Sequence, residues 1–237
     1  MKKRIVPFVL AAAMLPFAAA QEPAREGRKE QRIEKQKPPQ PKSLLLGERV
    51  NAEVTLHDLD GKPQRAGDLM GKITVVNFFS IRCPMQRGWN DRLARIQREF
   101  APKEVVFLHV DSNVDEIGEK PPKPPAKGPK PYHQLRLFLQ KNDLPFRVLV
   151  DHRNVVADMF QAKTTPQVYV FGRDGRLCYK GLVDDDEKDR RPDSRNDYLR
   201  DVLGKLVAGK EVKPFETKEV GGAIKRVGKV VRDDRAH

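Results

Sequence analysis

The residue best placed to do chemistry in this chain is Cys83. It follows a continuous apolar run of strand length, residues 73–80 (ITVVNFFS), and precedes a helical pattern. Trp89, Leu93, Ile96 and Phe100 are spaced four, three and four apart, which puts one apolar stripe on a helix. Arg87, Asp91, Arg92, Arg95 and Arg98 fall on its other face. Pro84 suits the first helical position, where its missing N–H is not needed. Cys83 is therefore expected at the helix cap, with its sulfur near the positive end of the helix dipole and beside Arg82. Both neighbours favour the thiolate. The chemistry expected is attack by sulfur on a disulfide or a peroxide.

The only other cysteine is Cys178. It lies in a hairpin pattern, residues 167–171 and 176–180 flanking the turn Gly172-Arg-Asp-Gly175. If that hairpin pivots near Asp174, Cys178 stands opposite Val170. Alternation then gives Leu177 and Tyr179 one face of the strand and Cys178 the other, as a small buried residue. His57, His109, His133, His152 and His237 show no ligand spacing, and His109, at the end of a buried strand, reads as a packed histidine. Asp184-Asp-Asp-Glu187 reads as a solvated acidic loop. No phosphate-binding Gly-rich loop, serine elbow or dinucleotide fingerprint occurs, so no cofactor and no metal are expected.

Positioning these residues requires alternating strands and helices. Residues 50–56 read as an edge strand, followed by a turn over residues 58–61. After the strand before Cys83 and the helix behind it come a buried strand at 105–110, a helix at 132–141 and a short strand at 146–150. A short helix at 155–160, the hairpin and a last helix at about 194–208 complete the pattern. Such alternation implies an α/β sandwich around one mixed sheet.

Three passages carry a resemblance. They are Asn77-Phe-Phe-Ser-Ile-Arg-Cys83, Thr164-Thr165-Pro166 before an apolar strand, and Tyr179-Lys-Gly-Leu-Val-Asp184-Asp185. In this order, over about residues 43–208, they resemble the thioredoxin-like superfamily, in particular its exported redoxin (thiol-specific antioxidant) members. The resemblance implies a thioredoxin-like three-layer sandwich, a central mixed β-sheet flanked by helices. It implies an active site of Cys83 with Ser80, Arg82, Pro84, Gln86, Thr165 and Pro166 around it. The chain departs from the usual Cys-x-x-Cys, because Gln86 stands where the resolving thiol would be. Ser80-Ile-Arg-Cys83 also resembles the Thr/Ser-x-x-Cys of peroxiredoxins, in which a hydroxyl meets the peroxide beside the thiol. The Ser80 hydroxyl has two readings, hydrogen-bonding the developing charge or satisfying its own strand end. Pro166, expected beside Cys83, lies four residues before Val170, roughly 13 Å at the rise of a strand. A disulfide needs Cα atoms within about 7 Å, which disfavours a Cys83–Cys178 bond.

Around this domain, residues 1–20 read as a signal peptide, with Lys2, Lys3 and Arg4, an apolar stretch too short to span a bilayer, and Ala18-Ala19-Ala20. Residues 21–42 read as a charged, Pro-ended flexible linker, residues 119–131 as a Pro/Lys-rich surface insertion, and residues 209–237 as a basic C-terminal tail. The net charge of +13 would raise nucleic-acid binding in a cytosolic protein. In an exported, periplasmic or extracytoplasmic protein, no nucleic acid is expected. A solvated surface, or weak contact with an anionic membrane surface or cell wall, accounts for the charge. Two functions remain open. One is a one-cysteine thiol oxidoreductase or antioxidant, acting on a disulfide-bearing protein or peroxide substrate and returned by an external thiol reductant. The other is a non-catalytic module that holds peptide by strand addition beside Pro166.

Overall fold

A hairpin opens the sheet, with β1 (Thr55–Asp58) and β2 (Pro63–Arg65) joined by a turn in which Gly61 takes a φ of +81°. The computed structural model describes residues 42–123 and 127–228. The signal-peptide reading (1–20), the linker up to residue 41, residues 124–126 of the insertion and residues 229–237 lie outside the described residues. Next come β3 (Ile73–Phe79), α1 (Pro84–Phe100), β4 (Val105–Asp111), the single turn α2 (Val114–Ile117), α3 (His133–Lys141), β5 (Val148–Val150) and α4 (Val155–Met159). They are followed by β6 (Thr164–Thr165), β7 (Gln167–Phe171), β8 (Leu177–Gly181), α5 (Tyr198–Val207), β9 (Phe215–Glu216) and β10 (Gly222–Ala223).

Eight strands form one mixed sheet in the order β2-β1-β5-β4-β3-β7-β8-β9. β3 runs parallel to β4 and antiparallel to β7, so it is central and every one of its seven residues is buried. Its β-branched and aromatic side chains suit a strand covered on both faces. Alternation sends Ile73, Val75 and Phe79 to a core shared with α1, α3 and α5. Val76 and Phe78 go to a second core under α4. This is a thioredoxin-like three-layer α/β fold. Each fully buried Phe, Leu or Ile contributes about 1.5–3 kcal/mol relative to exposure.

Three expectations change in the structure. The β7–β8 hairpin carries a bulge, because Val170 pairs with Tyr179 while Phe171 pairs with Leu177. Cys178 is the extra residue, so it joins Tyr179 on the α1 face while Leu177 faces the other core. Strict alternation fails there. Second, Arg92 is not on the solvent face of α1. It is 3% exposed, paired to Asp184 at 2.9 Å and donating to the Asp186 carbonyl at 2.6 Å. Third, the described part of residues 209–237 is not a tail. β9 extends the sheet beside β8, β10 pairs with β6, and Ile224 is buried in the α4-side core. No helix among the described residues is long and apolar enough to cross a membrane.

Candidate functional site

Parallel neighbours end side by side, so the loops leaving β3 and β4 meet at one edge of the sheet. That meeting positions Cys83. The Ser80 hydroxyl donates to Glu116 Oε1 at 2.5 Å and accepts from the backbone N–H groups of Cys83 at 3.0 Å and Arg82 at 3.2 Å. Glu116 also accepts from the N–H of Ile81 at 2.9 Å and of Arg82 at 3.2 Å. The Arg82 guanidinium turns outward to Asp115, 3.2 Å away. Asn113 Nδ2 donates to the Phe79 carbonyl at 3.1 Å and closes the corner from below. A single turn of helix thus clamps three consecutive residues.

Cys83 is the N-cap of α1, with extended backbone (φ −75°, ψ 116°) and Pro84 following. Its sulfur accepts the Gln86 N–H at 3.4 Å and donates to the Thr165 carbonyl at 3.0 Å. The Thr165–Pro166 peptide bond is cis. Gln86 is fully buried and its side-chain amide donates to Asn90 Oδ1 at 2.8 Å. The α1 end of the site is anchored farther along. Trp89 donates its indole N–H to Asp184 at 2.7 Å, and Asp184 holds Arg92.

A third layer lies directly over the sulfur. β10 runs antiparallel to β6, pairing Gly222 with Thr165 and Ala223 with Thr164. A Cβ at Gly222 would stand 2.9 Å from Cys83 Sγ, and one at Gly221 would stand 2.5 Å from the Thr165 carbonyl oxygen. Only glycine lets the backbone pass so closely. Beneath this cover Cys83 is 7% exposed.

Buried titratable groups surround the clamp. Burial, and then the nearby charge of Glu116, push the Asp111 carboxyl well above the usual range. Its Oδ1 accepts from both the backbone and side-chain N–H groups of Asn113. His109 is pulled down to about 3 by burial. Its Nδ1 accepts from Asn77 Nδ2, so Nε2 carries the proton and donates to Gln97 Oε1, while the ring stacks on Phe146 at 3.7 Å. The second cysteine is differently placed. Burial pushes the Cys178 thiol up to about 11, and it donates to the Val170 carbonyl at 3.2 Å. Both cysteines are free. Among the described residues no cluster of metal-ligating side chains occurs.

The model of the AhpC/TSA family matches residues 47–180, from the segment before β1 to the end of β8. The chain belongs to the AhpC/TSA family. Among curated proteins it is similar to the thioredoxin-like protein YneN of Bacillus subtilis, 26% identical over 133 residues. That match covers 56% of this chain and 66% of the relative. An uncharacterized conserved protein of Geobacillus kaustophilus superposes with a TM-score of 0.66 at 24% identity, covering 79% of this chain and 95% of the other. A hypothetical protein of Sinorhizobium meliloti gives 0.63 at 22%, covering 80% and 99%. These structural likenesses establish the fold.

Within this AhpC/TSA domain the sequence-derived residues converge: Ser80, Arg82, Cys83, Pro84, Gln86 and Thr165–Pro166 lie around one helix start. Their geometry gives Ser80 a narrower part than hydrogen-bonding a developing charge. Its one proton goes to Glu116 and its oxygen accepts the N–H groups of Arg82 and Cys83, so it holds the loop. Arg82 points to Asp115. Sequence reasoning missed Asp115 and Glu116, although the adjacency of two parallel strands would have placed the loop after β4 beside Cys83. It also missed the glycine pair at 221–222, explained by the close approach of Gly222 to the sulfur and of Gly221 to the Thr165 carbonyl.

Proposed function

We propose that this chain is an exported thiol oxidoreductase or antioxidant protein that uses one reactive cysteine, Cys83, on disulfide or peroxide substrates. The observation that carries the reading is the seat of the sulfur. It caps α1, where negative charge is favoured, and faces the Thr165 carbonyl beside Pro166. Family membership and the thioredoxin-like fold support the same chemistry.

On a disulfide, the Cys83 thiolate attacks one sulfur, the substrate S–S bond breaks, and the other sulfur leaves as a thiolate that takes a proton from water. An external thiolate then attacks the substrate sulfur of the mixed disulfide, breaking its bond to Cys83 and releasing the Cys83 thiolate; a second external thiolate attacks the new mixed disulfide, releasing the reduced substrate thiol and the external thiol's own disulfide. Cys83 is restored, and two electrons have passed from external thiols to substrate. On a peroxide, sulfur attacks one oxygen, the O–O bond breaks and an alcohol or water leaves. The resulting sulfenic acid is returned by two external thiols, releasing water and their disulfide. The external thiol is needed because Gln86 is an amide and Cys178 is tied to Val170 in the β7–β8 bulge.

Residues 1–20, with their basic start, short apolar stretch and small residues, support export to a periplasmic or extracytoplasmic compartment. The basic surplus supports weak contact with an anionic membrane surface or cell wall. The test is insulin reduction and peroxide consumption with an external thiol, in the wild type, Cys83→Ser and Cys178→Ser. Activity is expected in the first and third and should fall by about a hundredfold or more in the second. Equal rates in Cys83→Ser would overturn the reading. Absence of both activities in the wild type would leave the peptide-binding module in its place.

A further inference from the structure

Residues 219–225 occupy the edge at which an extended partner would add beside Cys83. The segment pairs with β6 through Gly222 and Ala223, and the Ile224 N–H continues the ladder to the Lys163 carbonyl at 3.0 Å. Across the site, the Lys225 N–H donates to Asn113 Oδ1 at 3.1 Å and the Val114 N–H to the Lys225 carbonyl at 3.0 Å. It therefore bridges the two walls that position the thiol, the cis-proline loop and α2. Ile224, 6% exposed, is the one side chain of the segment sunk in the core, and Glu219 pairs with Lys163 at 2.6 Å at the other end.

We propose that residues 219–225 form a strap that decides which partners reach Cys83, with Gly222 and Ile224 as its specificity-determining residues. Seated, the strap withholds the sulfur from protein-sized partners by filling the backbone-pairing edge of Thr164–Thr165. Released, it vacates that edge for an extended segment carrying a small residue opposite the sulfur. The strap is held mostly by backbone hydrogen bonds and one apolar anchor, while β3 beneath it is buried on both faces. Local opening thus costs less than global unfolding. The inference rests on Cys83 being the reactive group, but its test needs no turnover.

The measurement compares labelling rates of Cys83 by N-ethylmaleimide and by a polyethylene-glycol maleimide, read by peptide mass spectrometry on the full chain. Ile224→Ala removes the anchor, and the rate with the bulky reagent should rise about tenfold or more, beyond any rise with the small one, while Cys178 stays slow. Gly222→Val, which forces the strap off the sulfur, should act in the same direction. An unchanged ratio of bulky to small labelling in both variants overturns the strap, as does Cys178 accelerating in step. Should the variants fold poorly, hydrogen exchange on the wild type decides. The amides of residues 224 and 225 are expected to exchange well before those of Val75 and Val76, and exchange only with the core would overturn the proposal. Faster labelling without disulfide or peroxide turnover upholds the strap and counts against the redox reading alone.

Discussion

Ser80, just past the end of β3, and Glu116, in the helical turn α2 that follows the neighbouring parallel strand β4, are joined by a hydrogen bond of 2.5 Å that locks the loop carrying Cys83. Because Glu116 also receives two backbone N–H groups, it substitutes for the regular pairing that residues 80–82 lack. Glu116→Ala leaves those donors without their acceptor. It should cost about 1–3 kcal/mol in urea unfolding, with Glu116→Gln losing less. Equal stability of the alanine variant and the wild type would show that the clamp is dispensable.

Arg92 carries the one guanidinium sunk between α1 and the loop after β8. Its charge meets Asp184 at 2.9 Å and Asp189 at 2.9 Å. Arg92→Ala strands the Asp184 carboxylate in the core, and thermal or urea unfolding should register a loss of about 3–5 kcal/mol. Replacing both partners by apolar residues should recover much of that loss.

Two buried groups give opposite pH dependences. His109, depressed to about 3, binds fewer protons in the folded chain than in the unfolded one. Its contribution is complete above the ordinary histidine range near 6.5 and drains away as pH falls toward 3, at up to about 1.4 kcal/mol per pH unit. Asp111 is raised, so it binds more protons when folded, and its contribution is present in acid and lost as pH rises through its folded value. The stability difference between wild type and His109→Asn should therefore shrink as pH drops from 6.5. Asp111→Asn should gain on the wild type as pH climbs above 3.8, the ordinary aspartate value. Parallel curves for all three proteins would contradict both assignments.

Cys178→Ser should cost no more than about 1–2 kcal/mol, the loss of a small buried thiol that donates one hydrogen bond. Its alkylation profile at neutral pH should match that of the wild type, since the Cys178 thiol, held up to about 11, stays protonated there. Loss of substrate turnover in this variant would make Cys178 part of the reaction.

The strand before Cys83 and the stripe of α1 were legible because burial on both faces and a helical spacing each leave a pattern in a single segment. Cys83, Pro84 and the threonine–proline pair could be read for the same reason, since each is local to an element end. The C-terminal passage could not. Gly221, Gly222 and Ile224 form no periodic pattern, and their meaning comes from the Thr165 carbonyl, the Cys83 sulfur and the α4-side core, all distant in the sequence. Arg92 misled for a related cause: its charge says surface although it stands three residues after Trp89 and four before Ile96, and Asp184 from a distant loop supplies the partner that makes its burial tolerable. At Cys178 a bulge, which alternation does not anticipate, put Cys178 and Tyr179 on the same face of β8.

A single reactive thiol at Cys83 is open to intact-mass measurement and peptide mapping after exposure to a small disulfide such as oxidised glutathione. A single mixed disulfide, located on Cys83, is expected in the wild type and in Cys178→Ser, and none in Cys83→Ser. An adduct on Cys178, or loss of two hydrogens with Cys83 joined to Cys178, would contradict it.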